Sequence, residues 1–296
     1  MTMKLADWRT ARGRSACAAV LASFALTAGC AHGAAPATGA SMTTSSAPNR
    51  LSAAERAAGW RLLFDGRSLA GWRGLGYPDV PAAYWTVTDG AIHKIATSQV
   101  PVGADGRRPP GGDLMTEATF RDFELAWDWK ISPAGNSGVK YNVSEELSTG
   151  ASTDRPNAAA ARRGVSHAAI GFEYQMIDDD RHSDGKLPTH RSGALYDLIA
   201  PNAAKRLAPV GEWNHSVVIV RGTHGEHWLN GVKVVDYDLA SPEFAAALAK
   251  SKFRGIPWFA QHRAGHIVLQ DHGDEAFYRN IKIREIHRPP GGAASQ

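Results

Sequence analysis

Three short segments of this chain place polar, reactive side chains at alternate positions. NSGVKYN (136–142) sets Asn136, Lys140 and Asn142 on one side of an extended strand, with Val139 and Tyr141 on the other. GFEYQMID (171–178) opposes Glu173 and Gln175 to Phe172, Tyr174 and Met176, and HIVLQDH (266–272) opposes His266, Gln270 and His272 to Ile267 and Leu269. A carboxylate, a lysine, several amides and an imidazole over one concave sheet would form a groove that holds hydroxyl groups and moves protons. Trp213, Trp228 and Tyr196 offer ring faces of the kind that stack on sugars, so the partner expected is a carbohydrate. Any solvated sheet face alternates in this way strand by strand; three such strands together favour a pocket floor.

A second cluster is DDDRHSD (178–184), with His190 just beyond. Carboxylates and imidazole suit a divalent cation, and Asp178, Asp179 and His182 are its candidate ligands, against the plainer reading of a solvated acidic loop. The fixed spacing of a calcium loop is absent, as are a GxSxG elbow and a glycine-rich phosphate loop. Of the 12 histidines, His272 is the one expected to be catalytic.

These groups need a sheet to carry them. YWTVTDGAIH (84–93) reads as a hairpin about Asp89-Gly90, and EHWLNGVKVVDYD (226–238) as another about Asn230-Gly231. FRDFELAWDWKIS (120–132) alternates Phe123, Leu125, Trp127, Trp129 and Ile131 with Glu124, Asp128 and Lys130, a half-buried strand whose tryptophans belong to the core. GVKYNVS, GFEYQMID and WNHSVVIVRG continue the series. Only SPEFAAALAKSKF (241–253) is helical in pattern, with Ser241 as cap and Pro242 in its first turn. Many strands with one short helix predict an all-β fold, a two-sheet antiparallel jelly-roll sandwich. The polar stretch 144–170 is too long for a turn and is expected to lie over a functional face.

The flanks have other roles. Arg9, Arg12 and Arg14, an apolar run over 16–28, and Gly29-Cys30 read as an export signal (1–30), and the LTAGC ending resembles a lipoprotein cleavage site that leaves Cys30 lipidated. Thr27 stands where such sites usually carry leucine, and an ordinary secretory signal cut slightly later is the alternative. A flexible tether (31–52), one catalytic domain (53–287) and a loose tail (288–296) follow. The expected location is a bacterial membrane, facing the periplasm or the cell surface, held by the N-terminal lipid alone. Without Cys17 and Cys30 the domain has no disulfide, thiol nucleophile or cysteine metal site. The chain's net charge is +4, and Lys4, Arg9, Arg12 and Arg14 against Asp7 account for +3 of it; the remaining +1 gives no case for nucleic acid.

Taken together, GWRLLFDGRSLAGWRG, AGNSGVKYN, FEYQMIDDD, GALYDLI, GEWNHSVVIVRG, EHWLNGVKVVDYD and GHIVLQDHGDEAFYRNIKIREI resemble, in that order, the bacterial 3-keto-disaccharide hydrolase family over residues 59–286. The resemblance implies a concanavalin-like, glucanase-like sandwich acting on 3-keto-glycosides. A ketone at C3 acidifies the C2 hydrogen, so a base can form an enolate and the C1 substituent can leave; water can then add to the enone. Such a route implies His272 and Glu173 as base and acid, in either order, and Lys140 or a bound divalent cation to stabilise the C3 oxyanion. By position, Asn136, Gln175, Asp178, Tyr196, Asn214, Asn230 and Gln270 become hydrogen-bonding or supporting residues. Many members carry arginine where this chain has Asn142. Two rival expectations remain: a non-catalytic glycan-binding module, and a conventional glycosidase using the carboxylates of Glu173 and Asp178.

Overall fold

The computed structural model describes residues 48–149, 169–256, 258–261 and 263–286, all within one compact unit spanning residues 44–296. The export signal, Cys30, most of the tether, the tail and the stretch 150–168 lie outside the described residues. No described helix is long and apolar enough to cross a membrane.

In chain order the elements are α1 (Ala53–Ala57), β1 (Arg61–Leu62), β2 (Trp72–Gly74), β3 (Trp85–Thr88), β4 (Ala91–Lys94), β5 (Leu114–Phe120), β6 (Phe123–Ile131), β7 (Asn136–Val143), α2 (Glu145–Thr149), β8 (Phe172–Ile177), β9 (Asn214–Arg221), β10 (His224–Leu229), β11 (Val232–Asp238), α3 (Pro242–Lys250), β12 (Gly265–Leu269) and β13 (Ala276–Glu285). They form two antiparallel sheets. The large one runs β11-β10-β9-β6-β13-β4-β3, with β1 also pairing on β13; the small one runs β2-β5-β12-β7-β8. Sequence neighbours β5 and β6, or β12 and β13, sit in opposite sheets, so the chain crosses the sandwich repeatedly, as a jelly roll does.

The alternating strands explain the packing. Phe123, Leu125, Trp127, Trp129 and Ile131 of β6 meet Val139 and Tyr141 of β7, Phe172, Tyr174 and Met176 of β8, and Ile267 and Leu269 of β12 in one buried core. Lys140, Asn142, Glu173 and Gln175, out of phase with those residues, are left on the outer face of the small sheet, where they are nonetheless buried. Both expected hairpins form: Asp89 and Gly90, and Asn230 and Gly231, all have the positive φ that such tight turns need.

Three boundaries differ from expectation. FRDFELAWDWKIS is not one strand; the chain turns at Arg121 and Asp122, and Phe120 ends β5 in the other sheet. The tether stops short of residue 52, because Asn49 is buried and clasped to Asn280: each backbone N–H donates to the other's side-chain oxygen, at 2.5 and 2.8 Å. Ser52 then caps α1 in a capping box with Glu55. Two helices of a single turn or so, α1 and α2, accompany the expected α3, whose Ser241 cap accepts from Phe244 N–H.

Candidate active site

β7 carries the groove floor. Asn136, Gly138 and Lys140 follow one another along its outer face at the ~6.7 Å spacing of alternate strand residues. β8 lies beside it with Glu173 opposite Lys140 and Gln175 opposite Gly138. Instead of projecting straight out, the Glu173 side chain leans over Gly138: a Cβ there would lie 2.5 Å from Glu173 Oε1. The carboxylate therefore sits between Lys140 and Asn136, in space that only glycine leaves open.

Charges alternate around it. Lys140 Nζ stands 3.6 Å from Asp113 Oδ2 and 4.0 Å from Glu173 Oε2, and donates to Ala169 O at 3.3 Å. Asp113 Oδ1 accepts from Asp271 N–H at 2.8 Å, and Asp271 Oδ1 pairs at 2.9 Å with Lys94, which is fully buried. Burial pushes the Asp271 carboxyl above the ordinary range, aided by the charge of Asp113 and opposed by Lys94. Lys94, Asp271, Asp113, Lys140 and Glu173 thus form a chain of two cations and three carboxylates beneath the groove.

Past β12 the backbone brings His272 to the end of this floor. Gln270 N–H donates to Gly138 O, and Ser137 Oγ donates to Gln270 O, which fixes the strand exit. His272 Nε2 is 3.4 Å from Asn136 Nδ2, its Nδ1 is 3.7 Å from Asp274 Oδ2, and its ring centroid is 5.6 Å from that of His182. The imidazole is half exposed, at the mouth. Asn136 Oδ1 and Gln270 Oε1 are buried yet meet no hydrogen-bond partner among the described residues. Tyr196 borders the floor: its N–H donates to Glu173 O, and its ring lies 4.4 Å from that of His190 and 4.1 Å from Lys252 Nζ.

The structure therefore gathers His272, Glu173, Lys140, Asn136, Gln175 and Gln270, with Tyr196 at the margin. Other expected residues go elsewhere. Asn142 has a φ of 53° and donates to Arg263 O, holding a backbone irregularity in β7 rather than a ligand. Trp213 packs under Lys130 and Arg279, and Trp228 binds Glu226 Oε2 through Nε1; both lie on the outer face of the large sheet, opposite the groove. Asn214 and Asn230 bond each other and brace the loop at Arg206 and Ala208. Asp178 is committed to the backbone N–H groups of Ala134, Asp180 and Arg181. Burial raises its pKa, but those bonds and Arg181 outweigh burial and hold the carboxyl below the ordinary range. Asp179 accepts from Ser192 N–H and pairs with Lys205. Both carboxylates thus have backbone or lysine partners of their own, and of the expected metal ligands His182 is the one whose ring lies beside His272.

Residues 59–284 match the 3-keto-alpha-glucoside-1,2-lyase-like domain. The chain belongs to that family. It is 33% identical over 241 residues to a 3-keto-disaccharide hydrolase of Bacteroides thetaiotaomicron, covering 77% of this chain and 79% of that one. A crystal structure of a Parabacteroides distasonis protein named a glycosyl hydrolase superposes with a TM-score of 0.65 at 29% identity, over 81% of this chain and all of the other. A second Parabacteroides distasonis structure, at 24% identity and a TM-score of 0.53, covers 77% of this chain and 99% of its own and shares the fold. Family membership makes this a carbohydrate-cleaving enzyme, and the fold and family expected from the motifs both hold.

Sequence reasoning missed Lys94, Asp113, Asp271 and Asp274. Two of them carried a signal. Asp271 continues the phase of Ile267 and Leu269, and Lys94 that of Ile92, so each charge falls on an oily face where only a partner makes burial tolerable.

Proposed function

We propose that the groove cleaves the glycosidic bond of 3-keto-glycosides by proton abstraction at C2 and elimination, with water addition completing a net hydrolysis. The observation that supports it most is the Glu173 carboxylate held over Gly138 beside the Lys140 ammonium. Glu173 takes the C2 proton, and the C–H electron pair moves to the C3 oxygen as an enolate. Lys140 lies within reach of that oxygen and stabilises the charge in a site from which most water is excluded. Collapse of the enolate reforms the ketone as a C1–C2 double bond forms, and expels the C1 oxygen, which is protonated from the mouth of the groove, the end occupied by His272. Addition of water to the enone restores a saturated keto-sugar.

The relative's name, 3-keto-disaccharide hydrolase, agrees with this substrate class. The test compares a 3-keto-glucoside carrying a chromogenic aglycone with the unoxidised glucoside. Release from the keto compound alone is expected, and Glu173→Gln lowers kcat/KM by roughly 10²–10⁴-fold, the range of a general base. Equal release from the unoxidised glucoside would sink the enolate route; binding without turnover of either would indicate a glycan-binding module. Export with lipidation at Cys30 belongs to the same proposal, and incorporation of labelled palmitate that persists in Cys30→Ala would refute it.

A further inference from the structure

We propose that Asp113, which takes no part in the bond changes, is the residue that positions Lys140 to stabilise the oxyanion. Oxygens from three segments lie around the Lys140 ammonium: Ala169 O at 3.3 Å, Asp113 Oδ2 at 3.6 Å and Glu173 Oε2 at 4.0 Å. Lys140 and Glu173 stand directly opposite each other on β7 and β8, near enough for a direct ion pair at about 2.7–2.9 Å. That close pair is not made. The ammonium lies nearer to Asp113, and the Glu173 carboxylate leans over Gly138.

Asp113 is itself pinned. Its side chain is mostly buried, its carbonyl accepts from Leu75 N–H at 2.9 Å, and its Oδ1 accepts from Asp271 N–H at 2.8 Å, which leaves Oδ2 to Lys140. The neighbouring Asp271 is engaged elsewhere, because its Oδ1 pairs with the buried Lys94 and accepts from Gly273 N–H. A counter-ion separate from the base matters for the elimination. As Glu173 takes the C2 proton it becomes neutral while negative charge grows on the C3 oxygen, so an ammonium held by Glu173 alone would lose its partner during the step. One anchored on Asp113 keeps the same anion throughout. Of its three hydrogens, one goes to Ala169 O, one faces Asp113, and the third is left for the C3 oxygen. Without Asp113 the ammonium would close on Glu173, and a direct ion pair would both quench the base and withdraw the cation from the enolate.

This role rests on the keto-glycoside reading, and a double-mutant cycle in the full chain tests it. Asp113→Asn keeps an oxygen for Asp271 N–H but removes the charge facing Lys140, and Lys140→Met removes the ammonium. On the chromogenic 3-keto-glucoside, Asp113→Asn is expected to lower kcat about 10²-fold and to change KM by less than about 3-fold, since the transition state alone uses the placed ammonium. Lys140→Met lowers kcat by about 10²–10³-fold, as for a lost oxyanion donor. The double variant should fall no further than Lys140→Met, because Asp113 acts through Lys140. Far-ultraviolet circular dichroism checks folding, and Asp113→Ser takes the place of the asparagine variant in the cycle if that one does not fold. Wild-type kcat in folded Asp113→Asn overturns the proposal. So do losses that multiply to about 10⁴–10⁵-fold in the double variant, the mark of independent effects. Either result with turnover confined to the keto compound refutes Asp113 and leaves the substrate reading standing. Equal turnover of the unoxidised glucoside refutes that reading, and the same cycle run on this glucoside then decides whether Asp113 works through Lys140. Folded protein that turns over neither overturns both.

Discussion

Gly138 decides where the carboxylate of Glu173 can be. A methyl group at this position would fall 2.5 Å from Oε1, so Gly138→Ala must push the carboxylate off the floor while leaving the β7 backbone unchanged. The expected result is a fall in kcat of about 10²-fold, the cost of a misplaced catalytic group, with a thermal midpoint within a few degrees of wild type. A parallel loss of stability and activity would mean instead that the sheet itself had been disturbed. The buried Lys94–Asp271 pair responds differently. Lys94→Ala leaves a carboxylate without its partner and is expected to destabilise by about 3–5 kcal/mol, whereas Lys94→Met with Asp271→Leu should be far milder, as for other buried pairs; urea unfolding of both variants measures the difference. At this scale the groove residues of β7 and β8 were readable because their alternation is local. Trp213 and Trp228 lie away from this groove, and side-chain type alone does not reveal which of two sheets, or which outer face, a strand will join.

Elements were legible where their boundaries are written in a few adjacent residues. Asp89-Gly90 and Asn230-Gly231 dictate hairpins by their tolerance of positive φ, and Ser241-Pro242 dictates the start of α3. The end of β5 was hidden because Arg121 and Asp122 resemble a solvent-facing pair within a strand; what makes them a turn is tertiary, namely Asp122 Oδ1 accepting from Gly222 N–H and its carbonyl accepting from Ile286 N–H. The irregularity in β7 was equally hidden. Asn142 adopts a φ of 53°, and a Cβ on Gly265 across the ladder would fall 2.4 Å from its carbonyl carbon. Asn142→Val should therefore cost about 1–3 kcal/mol of backbone strain, while Asn142→Gly should be close to neutral for strain; chemical unfolding of the pair tests this. If both variants unfold alike, the Asn142 side-chain bond to Arg263 O matters more than the conformation.

On the scale of the whole molecule, the two sheets are joined through a polar network inside the core. His227 of β10 is fully buried; its Nε2 lies 2.8 Å from Tyr141 Oη on β7 and its Nδ1 3.1 Å from Gly193 O, beyond β8. Burial lowers its pKa to about 4, against a partial rise from the backbone of Gly193 and Ala194. The unfolded chain thus binds this proton more readily than the folded one. The stability contributed by neutral His227 is complete above the unfolded value of 6.5, declines as pH falls toward 4, and is lost below it. The total is about 3 kcal/mol by linkage. Urea unfolding between pH 7.5 and 4.5 should show this decline, and His227→Gln should flatten it; an unchanged slope in that variant would assign the acid sensitivity to other groups. A different consequence follows from the clasp between Asn49 and Asn280. Any pull exerted on the chain upstream of residue 48 enters the domain at Asn49, which is bonded to β13 and, through its Nδ2, to Gly90 at the β3–β4 turn. All three strands belong to the large sheet. Force applied from that end is therefore borne first by the large sheet, on the other side of the sandwich from Glu173 and Lys140 of the small one.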